Sequence, residues 1–197
     1  IPYSRYDLVF LLAPNMAHEL RRIMNDLSIK TPLVVSHNSG PHREGYSLIE
    51  DMAVADYVIC NNYGAWAAMA PVVSSMKNAC TISNGVDLKT FRKEVRFSDR
   101  PKRVLWCASE SKAHGREDIK GYRLVLTPLE MVLPTKNIET DFRIIHPGPT
   151  MAAEQMNEWY QTGRVLVCAS SSEGTPNIAL EASAAGCVVV TSPVGNM

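Results

Sequence analysis

Short runs of apolar, largely β-branched residues recur along the chain, each followed by a mixed stretch with room for a helix. Strands are predicted at "DLVFLL" (7–12), "PLVVSH" (32–37), "DYVICN" (56–61), "CTIS" (80–83), "RVLWCAS" (103–109), "FRIIHP" (142–147), "RVLVCAS" (164–170) and "CVVVTS" (187–192). These runs are continuous rather than alternating, which suits parallel strands covered on both faces. Helices are predicted over 15–27, 45–54, 63–76, 120–132, 151–161 and 176–185. Alternation of the two kinds of segment points to doubly wound α/β layers on parallel sheets.

The pattern lapses once. Residues 87–102, "DLKTFRKEVRFSDRPK", are charged and weakly periodic, and Pro101 lies at their end. This stretch reads as a linker between two Rossmann-like halves, 1–86 and 103–197. A length of 197 residues fits one large domain or two small ones. The chain starts at Ile1 and stops just after a strand, so it is expected to be a shortened version or an excerpt of something longer.

Composition narrows the class. Hydrophobic residues make up 46% and charged ones 20%, enough for a substantial core. Twenty basic residues cancel twenty acidic ones, which argues against nucleic acid or a charged membrane surface as partner. The apolar runs are too short for a transmembrane segment. Five cysteines, all in or beside strand-like runs, read as buried reduced thiols and favour a cytoplasmic location.

The stretch with most chemistry is "SSEGTPNIALEASAAGCVVVTS", 171–192. Thr175 is read as the N-cap of a helix, Pro176 as its first residue and Gly186 as its C-terminal stop. The loop before it then lies at the C-terminal end of a parallel strand, where open α/β sheets bind ligands. Helix-start N–H groups attract phosphate, and Gly174 permits close approach of a ligand. Glu181 lies one turn beyond Asn177 on the same helix face. On pattern alone, Glu173 could equally serve the helix dipole and Glu181 could simply be solvated.

The same stretch resembles the Glu-x7-Glu signature of the retaining glycosyltransferases with two Rossmann-like domains, the GT-B architecture of glycosyl transferases group 1. "ISNGVDLKTF" (82–91) is similar to the junction where those enzymes pass from acceptor domain to donor domain. "GREDIKGY" (115–122) resembles their Arg…Lys-Gly segment after the first donor-domain strand. The resemblance implies a partial acceptor domain over 1–86 and an incomplete donor domain over 103–197. It implies that Lys120 and Arg116 neutralise the diphosphate, with Lys112 as the alternative to Arg116 because Ser109 holds the family's usual arginine place. It further implies that Glu173 contacts the donor sugar and Glu181 the ribose. The backbone at Thr175 and Asn177 would face sugar and phosphate. His37, ending "TPLVVSH", is similar to the acceptor-side histidine beside the reaction centre. The acceptor domain's opening strands and glycine-rich loop are not found in the chain.

Other chemistries lack their residues. No Asp-x-Asp, Cys-x-x-Cys, Gly-x-Ser-x-Gly or P-loop occurs, so neither a metal site nor a cofactor is expected. The aromatic "MNEWYQ" (156–161) reads as plain helix packing. The expected activity is metal-independent, hexosyltransferase-like transfer from a UDP-, GDP- or ADP-sugar to an unidentified acceptor with retention of configuration. The rival readings are a non-catalytic nucleotide-sugar binding module, or a same-fold epimerase or phosphorylase.

Overall fold

The structure, a computed structural model, describes residues 5–12, 14–38, 48–68, 78–109, 118–145 and 151–197. The chain divides into two compact units. One is built on Ile1–Asn84 and also takes in Glu173–Thr175. The other is built on Gly85–Ser172 and Pro176–Gly195.

The first unit holds a four-stranded parallel sheet in chain order: β1 (Val9–Leu11), β2 (Leu33–His37), β3 (Tyr57–Cys60) and β4 (Ala79–Thr81). Its helices are α1 (Ala17–Asp26), α2 (Leu48–Ala53) and α3 (Tyr63–Ala68). β2 is buried at every position except Val34, which is partly covered, as its unbroken apolar run requires. Its core partners include Ala17, Met24, Met52, Val58 and Ala65. At the sheet edge, Leu8, Phe10 and Leu12 remain exposed.

Two local devices set α1. Ser28 takes a left-handed conformation (φ 55°) just past the helix. Ser28 N–H then donates to Asn25 O, and Ile29 N–H to Met24 O, closing a Schellman motif without a glycine. The Arg21 side chain donates to Val54 O and to the Asp56 carboxylate, which also accepts from Leu33 N–H at 2.7 Å. Burial alone would raise the Asp56 carboxyl. The Leu33 and Arg21 bonds outweigh it and hold the group below its ordinary range.

The second unit holds β5 (Arg103–Ser109), β6 (Glu139–Ile145), β7 (Val165–Cys168) and β8 (Val188–Thr191), all parallel, in the order β6-β5-β7-β8. A π-helix, Tyr122–Leu126, runs directly into α4 (Thr127–Val132), and α5 (Ala153–Gln161) and α6 (Asn177–Ala184) follow. Alternate residues of β5 feed two cores. Leu105 and Cys107 pack with Trp159, Tyr160, Leu166, Ala182 and Cys187 beneath α5 and α6. Val104, Trp106 and Ala108 pack with Leu126 and Val167 on the other face, joined by Tyr122, Leu129 and Phe142. A sheet covered on both faces explains why β5 reads as an unbroken apolar run.

The charged stretch 87–102, expected to be a linker, packs against the second unit. Phe91 enters the α5–α6 core, and Arg100 is only 2% exposed. The Arg100 guanidinium donates to Val95 O, Gln161 Oε1 and Ala185 O at 3.0, 2.5 and 2.6 Å. Gln161 in turn donates to Arg92 O and accepts from Val95 N–H. Phe91 and Arg100 thus anchor a stretch that composition reads as a spacer, while residues 92–99 between them stay exposed. No described helix is long and apolar enough to cross a membrane.

Candidate functional site

In the second sheet the chain leaves β5 for β6 on one side, then returns to β7 on the other. The C-terminal ends of β5 and β7 therefore flank a topological switch point, where the two crossovers diverge and leave a crevice. Two segments and one half-buried carboxylate define its character.

The first is 118–121. Asp118 (φ 44°) accepts from the N–H groups of Arg123 and Leu124 at 3.0–3.2 Å, capping the π-helix. Ser171 N–H donates to Ile119 O at 2.8 Å, stitching this segment to the exit of β7. Gly121 has φ 71°, and a Cβ there would lie 2.4 Å from Ala169 O. Only glycine allows both the conformation and the approach. Lys120 is thereby presented beside the end of β7.

The second segment is α6. Pro176 occupies the cap position (φ −73°, ψ 90°) and Asn177 is the first helical residue. The expected N-cap, Thr175, therefore lies one residue outside. Pro176 itself offers no side-chain capping bond. Ala179, Ala182 and Ala185 are fully buried, and such small residues bring the helix close to the sheet. At the far end Gly186 (φ 86°) completes a Schellman motif, with Gly186 N–H on Ser183 O and Cys187 N–H on Ala182 O.

The carboxylate is Glu181. The Tyr160 hydroxyl, from α5, donates to Glu181 Oε2 at 2.8 Å. Burial pushes the Glu181 carboxyl up, and the tyrosine bond pulls it back in part. The Tyr160 hydroxyl is held well above its ordinary range, first by burial and then by the neighbouring Glu181 charge. The Cys107 thiol on β5 is pushed up to about 12, by burial first; Glu181 adds to the effect while Lys120 and Arg143 oppose it. The Cys107 thiol, near the C-terminal end of β5, thus feels both Lys120 and Glu181.

The other expected site residues distribute as follows. His37 is the last residue of β2 in the first unit and is 2% exposed. Glu173, Gly174 and Thr175 group with that unit, whereas Pro176, Asn177, Glu181 and Lys120 belong to the second. Arg116 and its alternative Lys112 lie outside the described residues. Cys80 is exposed, correcting the expectation that all five thiols are buried. Among the described residues, no cluster of three His, Cys, Asp or Glu side chains is placed to hold a metal ion. A groove lined by Arg103, Pro134 and 137–141 lies at the N-terminal ends of β5 and β6, at the opposite edge from this constellation. Sequence reasoning missed Tyr160, Cys107 and Asp118. Only the "DIKGY" spacing carried a signal, a carboxylate ahead of a helix start.

Residues 96–197 match the family described as Glycosyl transferases group 1. The chain belongs to that family. No curated protein matches it. Among solved structures, HepE of Anabaena in complex with UDP and glucose is similar at a TM-score of 0.66 and 14% identity, covering 98% of this chain and 60% of that one. Sucrose-phosphate synthase from Thermosynechococcus elongatus is similar at 0.65 and 16%, covering 97% and 57%. The α,α-trehalose 6-phosphate synthase from Burkholderia multivorans is similar at 0.60 and 13%, covering 96% and 57%. The fold is thus the parallel-sheet, Rossmann-like α/β fold of GT-B glycosyltransferases. The chain spans about 60% of the length of HepE.

Proposed function

We propose that this chain carries the donor chemistry of a metal-independent, retaining glycosyltransferase acting on a nucleoside-diphosphate sugar. The observation behind the reading is the convergence of the Lys120 loop, tied by Ile119 to the exit of β7, and the start of α6, with Glu181 in its second turn, at the β5/β7 switch point. Cleavage of the sugar–phosphate bond leaves charge on the diphosphate, and positioned cations and N–H donors stabilise that charge. Lys120 supplies a cation, with Arg116 as its helper, and the first turn of α6 adds backbone N–H groups and its dipole. These groups do the work that a divalent ion would otherwise do. No cofactor is required, since the diphosphate is its own leaving group.

Glu181 accepts from the paired ribose hydroxyls, a task suited to a carboxylate. Glu173 contacts the reacting sugar, the backbone at Gly174, Thr175 and Asn177 lines the sugar and phosphate, and His37 serves the acceptor side. The UDP bound by HepE makes UDP-, GDP- and ADP-sugars the natural first substrates to try. The four buried thiols suit a reducing, cytoplasmic setting. Proton NMR of a UDP-α-sugar incubated with the protein in EDTA tests the reading. The first-formed product should carry the α-anomer, and a β-anomer or a requirement for divalent metal would overturn it.

A further inference from the structure

We propose that Tyr160 is a positioning residue for nucleotide binding: its hydroxyl holds Glu181 by one oxygen and turns the other toward the ribose. This rests on the reading of Glu181 as the ribose contact. Tyr160 has no freedom of its own. Its ring is fully buried and packs against Phe91 and Trp159, with centroids 6.2 and 5.2 Å apart. The hydroxyl is therefore a fixed point, 2.8 Å from Glu181 Oε2. Glu181 stands in the second turn of α6 on a longer, more flexible side chain. A donor at Oε2 limits the carboxylate to one orientation, so less rotamer entropy remains to be lost when ligand binds.

The tyrosine also favours the ionised form of the group. Burial favours the protonated acid, and the hydroxyl hydrogen bond opposes that shift. The titratable groups facing this carboxyl are Tyr160 from α5 and Cys107 from β5, with Lys120 and Arg143 acting on the same thiol. A protonated Glu181 would have one fewer acceptor position to offer the two ribose hydroxyls.

The test is a double-mutant cycle read by calorimetry, with whichever of UDP, GDP and ADP binds the wild-type chain most tightly. Tyr160→Phe keeps the ring and removes only the hydroxyl, and thermal melting confirms that each variant is folded. Y160F is expected to weaken binding about five- to tenfold, the scale of the net contribution of one intramolecular hydrogen bond. In a Glu181→Ala background, which leaves Tyr160 no acceptor at this position, the same change should add almost nothing, because Tyr160 acts through Glu181. The acid limb of binding should move to higher pH in Y160F, which a purely packing role would not cause. Losses that multiply in the double variant would overturn the proposal. So would wild-type affinity in Y160F alongside weakened E181A, and that result would leave the ribose reading intact. Wild-type affinity in E181A would remove both.

Discussion

Glu181 is held where a carboxylate is costly. Burial raises its folded-state pKa above the ordinary value, so the native state binds more protons than the unfolded chain between the two values. The stability contributed by this group is therefore greatest below the ordinary carboxyl range and is lost as pH rises through the raised value. Glu181→Gln removes that liability while retaining an acceptor for Tyr160. It should make the ligand-free protein more resistant to urea at neutral pH and flatten its pH dependence. A variant whose urea midpoint tracks wild type at every pH would contradict this. The two glutamates should also separate kinetically. E181Q mainly raises KM, since a ribose contact is equal in ground and transition states, whereas Glu173→Gln mainly lowers kcat. Identical kinetic changes in the two variants would defeat the assignment.

At the scale of elements, two sites test how the second unit is held together, and the first of them governs the presentation of Lys120. Gly121→Ala forces a Cβ toward Ala169 O in a left-handed conformation. A cost of about 2 kcal/mol or more in stability is expected, with weakened nucleotide binding, because the 118–121 segment must leave the end of β7. A variant as stable as wild type by urea denaturation would show that the approach is not needed. Arg100→Ala strips Val95 O, Gln161 and Ala185 O of their donor and should cost about 3 kcal/mol in the same assay. A loss within about 0.5 kcal/mol would mean that the 87–102 stretch behaves as a surface segment. These two sites also mark where the sequence stops being readable. The strands were legible because burial on both faces forces unbroken apolar runs, as in β2 and β5. The stop of α6 was legible because Gly186 is the residue that such a turn favours. Arg100 was not, since a buried arginine served by carbonyls and one glutamine looks like any solvated charge. Nor was Tyr160, whose role depends on α5 lying beside α6, a pairing that no local pattern encodes. The start of α6 was misjudged by one residue because threonine and proline both suit a helix entrance.

At the scale of the molecule, two parallel-sheet units of equal strand number carry different shares of the expected chemistry. The first holds its strands in chain order, so its sheet has no switch point among the described residues, and its candidate is His37 at the end of β2. The second has the switch point, the glycine-fitted loop and the opposed charges of Lys120 and Glu181. The proposed reading places nucleotide capture in the second unit. A formal net charge of zero gives the chain no overall attraction for a diphosphate, which puts the weight of the proposal on the local cation. The most direct measurement is calorimetric titration of UDP, GDP and ADP into the 197-residue chain in EDTA, with Lys120→Ala alongside. At least one diphosphate should bind without metal, and K120A should weaken it by about 1.5–3 kcal/mol, roughly ten- to a hundredfold. Binding that vanishes on chelation, or an affinity unchanged in K120A, would contradict the account.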